Sequence, residues 1–132
     1  MREIKFRAWN GGMMRYLHLD EFTITQDGVY APNEMGEKWI QRDWPLMQYT
    51  GLKDENGTEI YESDIVLAHD SWGKYSGAIE WWNDRWVLRF PGSDGTPQNQ
   101  SLMTVRKPKV IGNIYENPEL LSEPVSNPNK LD

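Results

Sequence analysis

Residues 47–66 read Met47-Gln-Tyr-Thr-Gly-Leu-Lys-Asp-Glu-Asn-Gly-Thr-Glu-Ile-Tyr-Glu-Ser-Asp-Ile-Val66. An apolar strand through Met47 and Tyr49 is followed by a reversal at Asn56-Gly57 and a second strand through Ile60. Asn-Gly is the strongest short-range hairpin signal, because both residues tolerate the positive φ of a tight turn. A type I turn over Asp54-Glu55-Asn56 with Gly57 left-handed suits this spacing better than a strict two-residue loop. Glu62-Ser63-Asp64 then forms a turn, with Asp64 accepting backbone N–H groups ahead of Ile65. The continuous run Ile65-Val66-Leu67-Ala68 predicts a strand covered on both faces.

The same pattern extends in both directions. Ile4, Phe6 and Ala8 alternate with Lys5, Arg7 and Trp9. Gly11-Gly12 offers a reversal and Met13 to Leu17 a return strand. Phe22 and Ile24 suit a strand closed by Asp27-Gly28. The signal fades over 31–43, where Pro32, Asn33 and Gly36 read as loop and Glu37 to Arg42 as one helical turn or an exposed strand. His69 to Ser76 is expected to be a loop.

In GAIEWWNDRWVLRF, residues 77–90, the register can be argued. A two-residue turn at Asn83-Asp84 sets Trp82 opposite Arg85, Trp81 opposite Trp86 and Ile79 opposite Leu88. Ile79, Trp81, Trp86 and Leu88 then share one face, and Glu80, Trp82, Arg85 and Arg89 the other. Residues 91–101 read as a surface loop. Leu102–Val105 and Lys109–Ile114 are the last strand candidates, interrupted by Pro108. Asn117-Pro118-Glu119 resembles a helix start, with Leu120 and Leu121 packing the turn onto the body. The tail, 122–132, carries two prolines and few apolar residues and is expected to be disordered.

The chain has 132 residues, which is one domain by length. Seven Trp, six Tyr and three Phe compensate for a modest aliphatic content, so an aromatic-rich, tryptophan-lined core is expected. The expected fold is mainly β: a small antiparallel barrel-like domain of hairpins over 1–121, ending in a short helical turn. Cysteine is absent, which removes disulfides, thiol nucleophiles and Cys-ligated zinc. No stretch is long and apolar enough to span a bilayer, and the N-terminus lacks a signal-peptide pattern. A soluble cytoplasmic protein is expected.

The formal charge is −6, which disfavours nucleic acid as a partner. Basic runs at Arg2, Lys5 and Arg7 and at Arg106, Lys107 and Lys109 read as solvated charges.

Three blocks, MREIKFRAW at the start, LMQYTGLKDENGTEIYESDIV in the middle and VIGNIYENPELL near the end, resemble the YopX family of phage and prophage proteins. The resemblance covers residues 1–121. Two departures stand out: Ser63 sits where family members read Gly between Glu62 and Asp64, and tryptophan is dense between Trp72 and Trp86. The resemblance implies a small, mostly β protein with a barrel-like core, encoded by a temperate phage or prophage and acting in a bacterial cytoplasm. It carries no established function, so no catalytic or ligand-binding residue transfers.

Candidate chemistry is sparse. His18 with Asp20, and His69 with Asp70, offer too few ligands for a metal. Asp54 to Thr58 fails the calcium-loop pattern, because Glu59 stands where the turn glycine belongs and Ile65 where the bidentate Glu belongs. A hydrolase would need Asp64 with His69 or His18 and has no orienting group. No catalytic, metal or cofactor residues are assigned. The expected function is a non-enzymatic module that binds a host or phage protein. Its candidate interaction surface comprises Trp72, Tyr75, Trp82, Arg85 and Arg89. The alternative is a small β barrel that binds single-stranded nucleic acid, with Arg85 or Arg89 beside Trp82. A homo-oligomer is also compatible with the chain.

Overall fold

The computed structural model describes residues 3–18, 22–32, 35–36, 39–71 and 73–121. The chain is mainly β, in antiparallel hairpins, as its sequence indicates. Its strands form three antiparallel sheets, and none closes into a barrel. The chain divides into two compact units, Met1–Tyr49 and Thr50–Asp132.

In the first unit, β1 (Phe6–Trp9) and β2 (Met14–Leu17) form the expected N-terminal hairpin, with Phe6 opposite Leu17 and Trp9 opposite Met14. Asn10 Oδ1 closes the turn by accepting the N–H groups of Gly12 and Met13. β1 also pairs with the first half of β6 (Leu46–Lys53), so it is a central strand. Arg7 is accordingly buried along with Ala8, while Ile4, ahead of the strand, is exposed. The simple in-and-out alternation therefore holds only at Ala8.

A second sheet joins β3 (Thr23–Thr25), β4 (Gly28–Pro32) and β5 (Trp39–Arg42). Ala31 and Pro32, expected in a loop, are thus strand, and so is the stretch from Trp39 to Arg42; residues 33, 34, 37 and 38 lie outside the described residues. Pro32 is tolerated because it is the last residue of its strand, where no further ladder N–H is needed. Phe22, Val29 and Ala31 form a small core flanked by Leu17, Trp44 and Leu46.

In the second unit, the rear half of β6 lies beside β7 (Glu59–Tyr61). Their connection is the type I turn read from the sequence: Asp54 N bonds Thr58 O at 2.8 Å, Gly57 N bonds Asp54 O at 3.0 Å, and Gly57 has φ +85°. A five-stranded sheet follows, in the order β11-β10-β9-β8-β12. Its strands are β8 (Asp64–Asp70), β9 (Gly73–Trp82), β10 (Arg85–Pro91), β11 (Pro97–Ser101) and β12 (Arg106–Asn113).

Two expected loops are replaced by hairpins. Residues 69–76 are largely strand, because β8 and β9 reverse tightly between Asp70 and Gly73. Residues 97–101 form an edge strand against β10, closed by Gly92 N to Thr96 O at 2.7 Å. Leu102–Thr104 and Pro118–Leu121 are short 3-10 turns. Leu120 is half-buried, Leu121 is exposed, and the tail expected to be disordered lies outside the described residues.

The core of this unit is Ile60, Val66, Ala68, Tyr75, Ile79, Leu88 and Leu102. It contains no tryptophan. Among the described side chains, Trp9, Trp44 and Trp86 are half-buried and Trp81 and Trp82 are exposed. The buried centre is therefore aliphatic with one tyrosine, and among the described side chains Trp86 and Trp44 line the two cores from their margins, in keeping with the difficulty of burying a whole indole.

Candidate functional site

The β9–β10 hairpin adopts the expected register: Trp82 faces Arg85, Trp81 faces Trp86 and Ile79 faces Leu88. Asn83 and Asp84 both have positive φ, +48° and +73°, the signature of a type I′ turn that matches strand twist. β8 accompanies β9 only as far as Ala78, and β11 accompanies β10 only from Val87. Beyond those points the hairpin runs on as a two-stranded ribbon, and no further strand pairs with it among the described residues; Ser63 N bonds Ile79 O at 2.8 Å, and the Pro118–Leu121 turn lies near β9.

This overhang decides which side chains are accessible. Ile79, just past the last β8 pairing, and Leu88 are fully buried, yet Trp81 on the same face is 56% exposed. Trp81 meets Trp86 edge to face, with ring centroids 5.0 Å apart. On the other face Trp82 is 44% exposed. The ribbon therefore presents indoles on both sides. Arg85 and Arg89 share the Trp82 face, and each has a carboxylate: Arg85 Nε lies 3.2 Å from Asp84 Oδ1, and Arg89 Nε lies 3.7 Å from Glu80 Oε2. Arg89 also donates to Asn99 Oδ1 at 3.4 Å.

Of the residues singled out from sequence, Trp82, Arg85 and Arg89 come together. Tyr75 does not join them. It is 2% exposed, stacks on Phe90 at 4.7 Å and donates its hydroxyl to Gln100 Oε1. Its position in β9 gives it the same face as Ile79, which turns it into the core. Burial, with the charge of Asp70 adding, raises its phenol pKa. Trp72 lies outside the described residues. Trp81 shares the face of Ile79 and Leu88 yet is exposed, and the readable signal for this is its place one step from the turn, past the reach of flanking strands.

Asp64 and His69 are not brought together. They stand near opposite ends of β8, about 17 Å apart along the strand and, at odd spacing, on opposite faces. Asp64 is buried and accepts Tyr61 N at 2.8 Å, the turn-forming role its sequence context indicates. His18 is exposed, and Asp20 lies outside the described residues. Among the described residues, no three His, Asp or Glu side chains are grouped to hold a metal ion. A cleft of about 220 Å³ is lined by Leu52, Ile60, Leu102, Met103, Val105, Pro108 and Lys53. It holds no acid, imidazole or hydroxyl.

The family model described as YopX protein matches residues 5–122. The chain belongs to the YopX family. Two solved structures share its fold. Protein EF1440 from Enterococcus faecalis is 29% identical, with a TM-score of 0.58, covering 92% of this chain and 99% of its own. Protein yopX from Bacillus subtilis is 21% identical, with a TM-score of 0.57, covering 89% of this chain and 97% of its own. No curated protein matches the chain. Among the described residues, no helix is long and apolar enough to cross a membrane.

Proposed function

We propose that this YopX-family chain is a phage- or prophage-encoded accessory protein, non-enzymatic, that binds a host or phage protein in the bacterial cytoplasm through its β9–β10 ribbon. The observation that carries this reading is the pair of exposed indoles, Trp81 and Trp82, on an overhang with no sheet beside it. A two-stranded ribbon is marginal alone, and tryptophan is the residue type most enriched where binding energy concentrates. The paired charges on Arg85 and Arg89 suit a protein surface better than a phosphate backbone, since each cation already faces a carboxylate. Bacterial relatives support the cellular setting.

The test is quantitative affinity capture from bacterial lysate with wild type, Trp81→Ala and Trp82→Ala. A specific partner should be enriched by wild type and weakened roughly 30-fold or more by at least one variant, the magnitude of an interface hot spot. Equal recovery by all three chains overturns the assignment of the ribbon.

A further inference from the structure

The basic run at Arg106, Lys107 and Lys109 gains neighbours that the sequence does not show. In the five-stranded sheet, Arg106 pairs with His69, and His69 pairs with Lys74. Side chains at paired positions share a face, so three nitrogen-bearing side chains form one row across β12, β8 and β9. Adjacent strands lie about 4.8 Å apart, so the row spans about 10 Å. Lys109 pairs with Leu67, two residues before His69 on the same face of β8, and so joins the row from below. Lys74, Arg106 and Lys109 are exposed, and His69 is half-buried.

Two acidic positions border this row. Asp70 is on the opposite face of β8, where its charge acts on Tyr75. Asp54 and Glu55 flank the outer edge of β12 through bonds with Val110 and Pro108, and the Asp54 carboxylate is occupied by backbone N–H groups. Lys109 lies near enough to Asp54 for its charge to lower that carboxyl's pKa, and Lys74 has an interaction of its own; both are exposed.

The chain is acidic as a whole, at −6, but at physiological ionic strength charges more than about 8 Å away are largely screened. At contact distance the local row governs. We propose that the Lys74–His69–Arg106 row, with Lys109, binds the phosphate backbone of a nucleic acid without sequence preference. Lys74, Arg106 and Lys109 are separate cations, which suits successive phosphates that need charge rather than base-edge complementarity. This site is distinct from the tryptophan ribbon and stands or falls separately.

The experiment is fluorescence anisotropy of a labelled 20-nucleotide oligo-dT strand with the full chain, at 50 and 200 mM salt. Wild type should bind, and with about three phosphates neutralised its affinity should drop roughly 20-fold between the two salts. Arg106→Glu with Lys109→Glu should weaken binding at least tenfold and flatten the salt dependence, whereas Arg106→Lys should stay within about twofold. Lys5→Glu, a charge reversal in the other basic run, should act only through net charge and change affinity less than about threefold. Thermal melts of each variant report folding. The proposal is overturned if wild type does not bind at 50 mM salt. It is overturned equally if Lys5→Glu weakens binding as much as the paired variant, or if poly-glutamate competes as well as unlabelled oligo-dT.

Discussion

The carboxylate of Asp54 accepts the backbone N–H of Val110 at 2.9 Å with Oδ2, while Oδ1 accepts Asn56 N at 2.9 Å and Thr58 N at 2.8 Å. One side chain thus closes its own hairpin turn and ties it to the edge of β12, with Glu55 N to Pro108 O at 2.9 Å beside it. Asp54 is only 8% exposed, so losing the carboxylate removes the shared acceptor of three backbone N–H groups, one of them on the half-buried Val110. Asp54→Ala should cost about 2–4 kcal/mol, read as a drop in the urea midpoint at unchanged m-value. A loss under about 0.5 kcal/mol, the level of an ordinary surface change, would refute the staple.

The same contacts set a pH dependence. Burial alone would raise the Asp54 pKa, but the N–H groups of Val110, Thr58 and Asn56, helped by the charge of Lys109, outweigh it and hold the carboxyl below its ordinary 3.8. The folded chain therefore favours the anion. Its contribution is complete above that ordinary value and is lost as pH falls below it through the lower folded one. The stability gap between wild type and Asp54→Asn should be flat above about pH 5 and shrink below about pH 4. A gap already closing at pH 6, or undiminished at pH 3, contradicts this.

Ser63 occupies a left-handed conformation, φ +72°, and cannot leave it. Its N–H bonds Ile79 O at 2.8 Å and its carbonyl accepts Ile114 N at 3.0 Å. A side chain there costs about 1–2 kcal/mol, against the extra chain entropy that glycine adds to the unfolded state. Ser63→Gly should stabilise by about 0.5–1 kcal/mol, and Ser63→Val should destabilise, since a β-branched residue fits this region worst. Denaturant melts showing Gly less stable than Ser would reverse the assignment of strain.

Much of this architecture is legible in the sequence where local chemistry and sheet context agree. The Asp54–Gly57 turn and the 79–88 register follow from turn residues and period-two pairing, and both are observed. β11 is invisible because Pro97-Gln-Asn-Gln-Ser101 has no apolar face. It is an edge strand held by its ladder with β10, and polar edge strands discourage sheet-to-sheet association. The exposure of Trp81 is hidden for a related reason: periodicity gives the face of a strand but not where neighbouring strands stop. The Lys74–His69–Arg106 row required pairing between segments far apart in sequence, which no local pattern encodes.

Gly77 marks a place where two backbones come close. A Cβ on it would collide with the carbonyl of Arg89 on β10, with its carbon at 2.7 Å and Phe90 Cβ at 3.1 Å. The Arg89 atoms are main chain in a central strand pair and cannot swing away. Gly77→Ala should therefore cost about 3 kcal/mol or more, enough to lower the melting temperature by roughly 10 °C in a chain of this size. By contrast, a Cβ on Gly95 meets nothing within 4 Å, so Gly95→Ala should show only the smaller penalty of its positive φ, about 1–2 kcal/mol. Equal melting temperatures for the two variants would show that the β9–β10 spacing is looser than described.

Leu88 and Trp82 lie on opposite faces of the same hairpin and should respond oppositely to truncation. Leu88 is fully buried in the core with Ile79 and Tyr75, so Leu88→Ala should cost about 2–5 kcal/mol. Trp82 is half exposed beyond the flanking strands, so Trp82→Ala should cost at most about 1 kcal/mol of stability, the share of a cross-strand pair. If Trp82→Ala instead unfolds the chain, the indole is a packing element and the ribbon loses its standing as a binding surface. A stable Trp82→Ala chain with an unchanged far-UV spectrum leaves that tryptophan without a structural task large enough to account for its exposure.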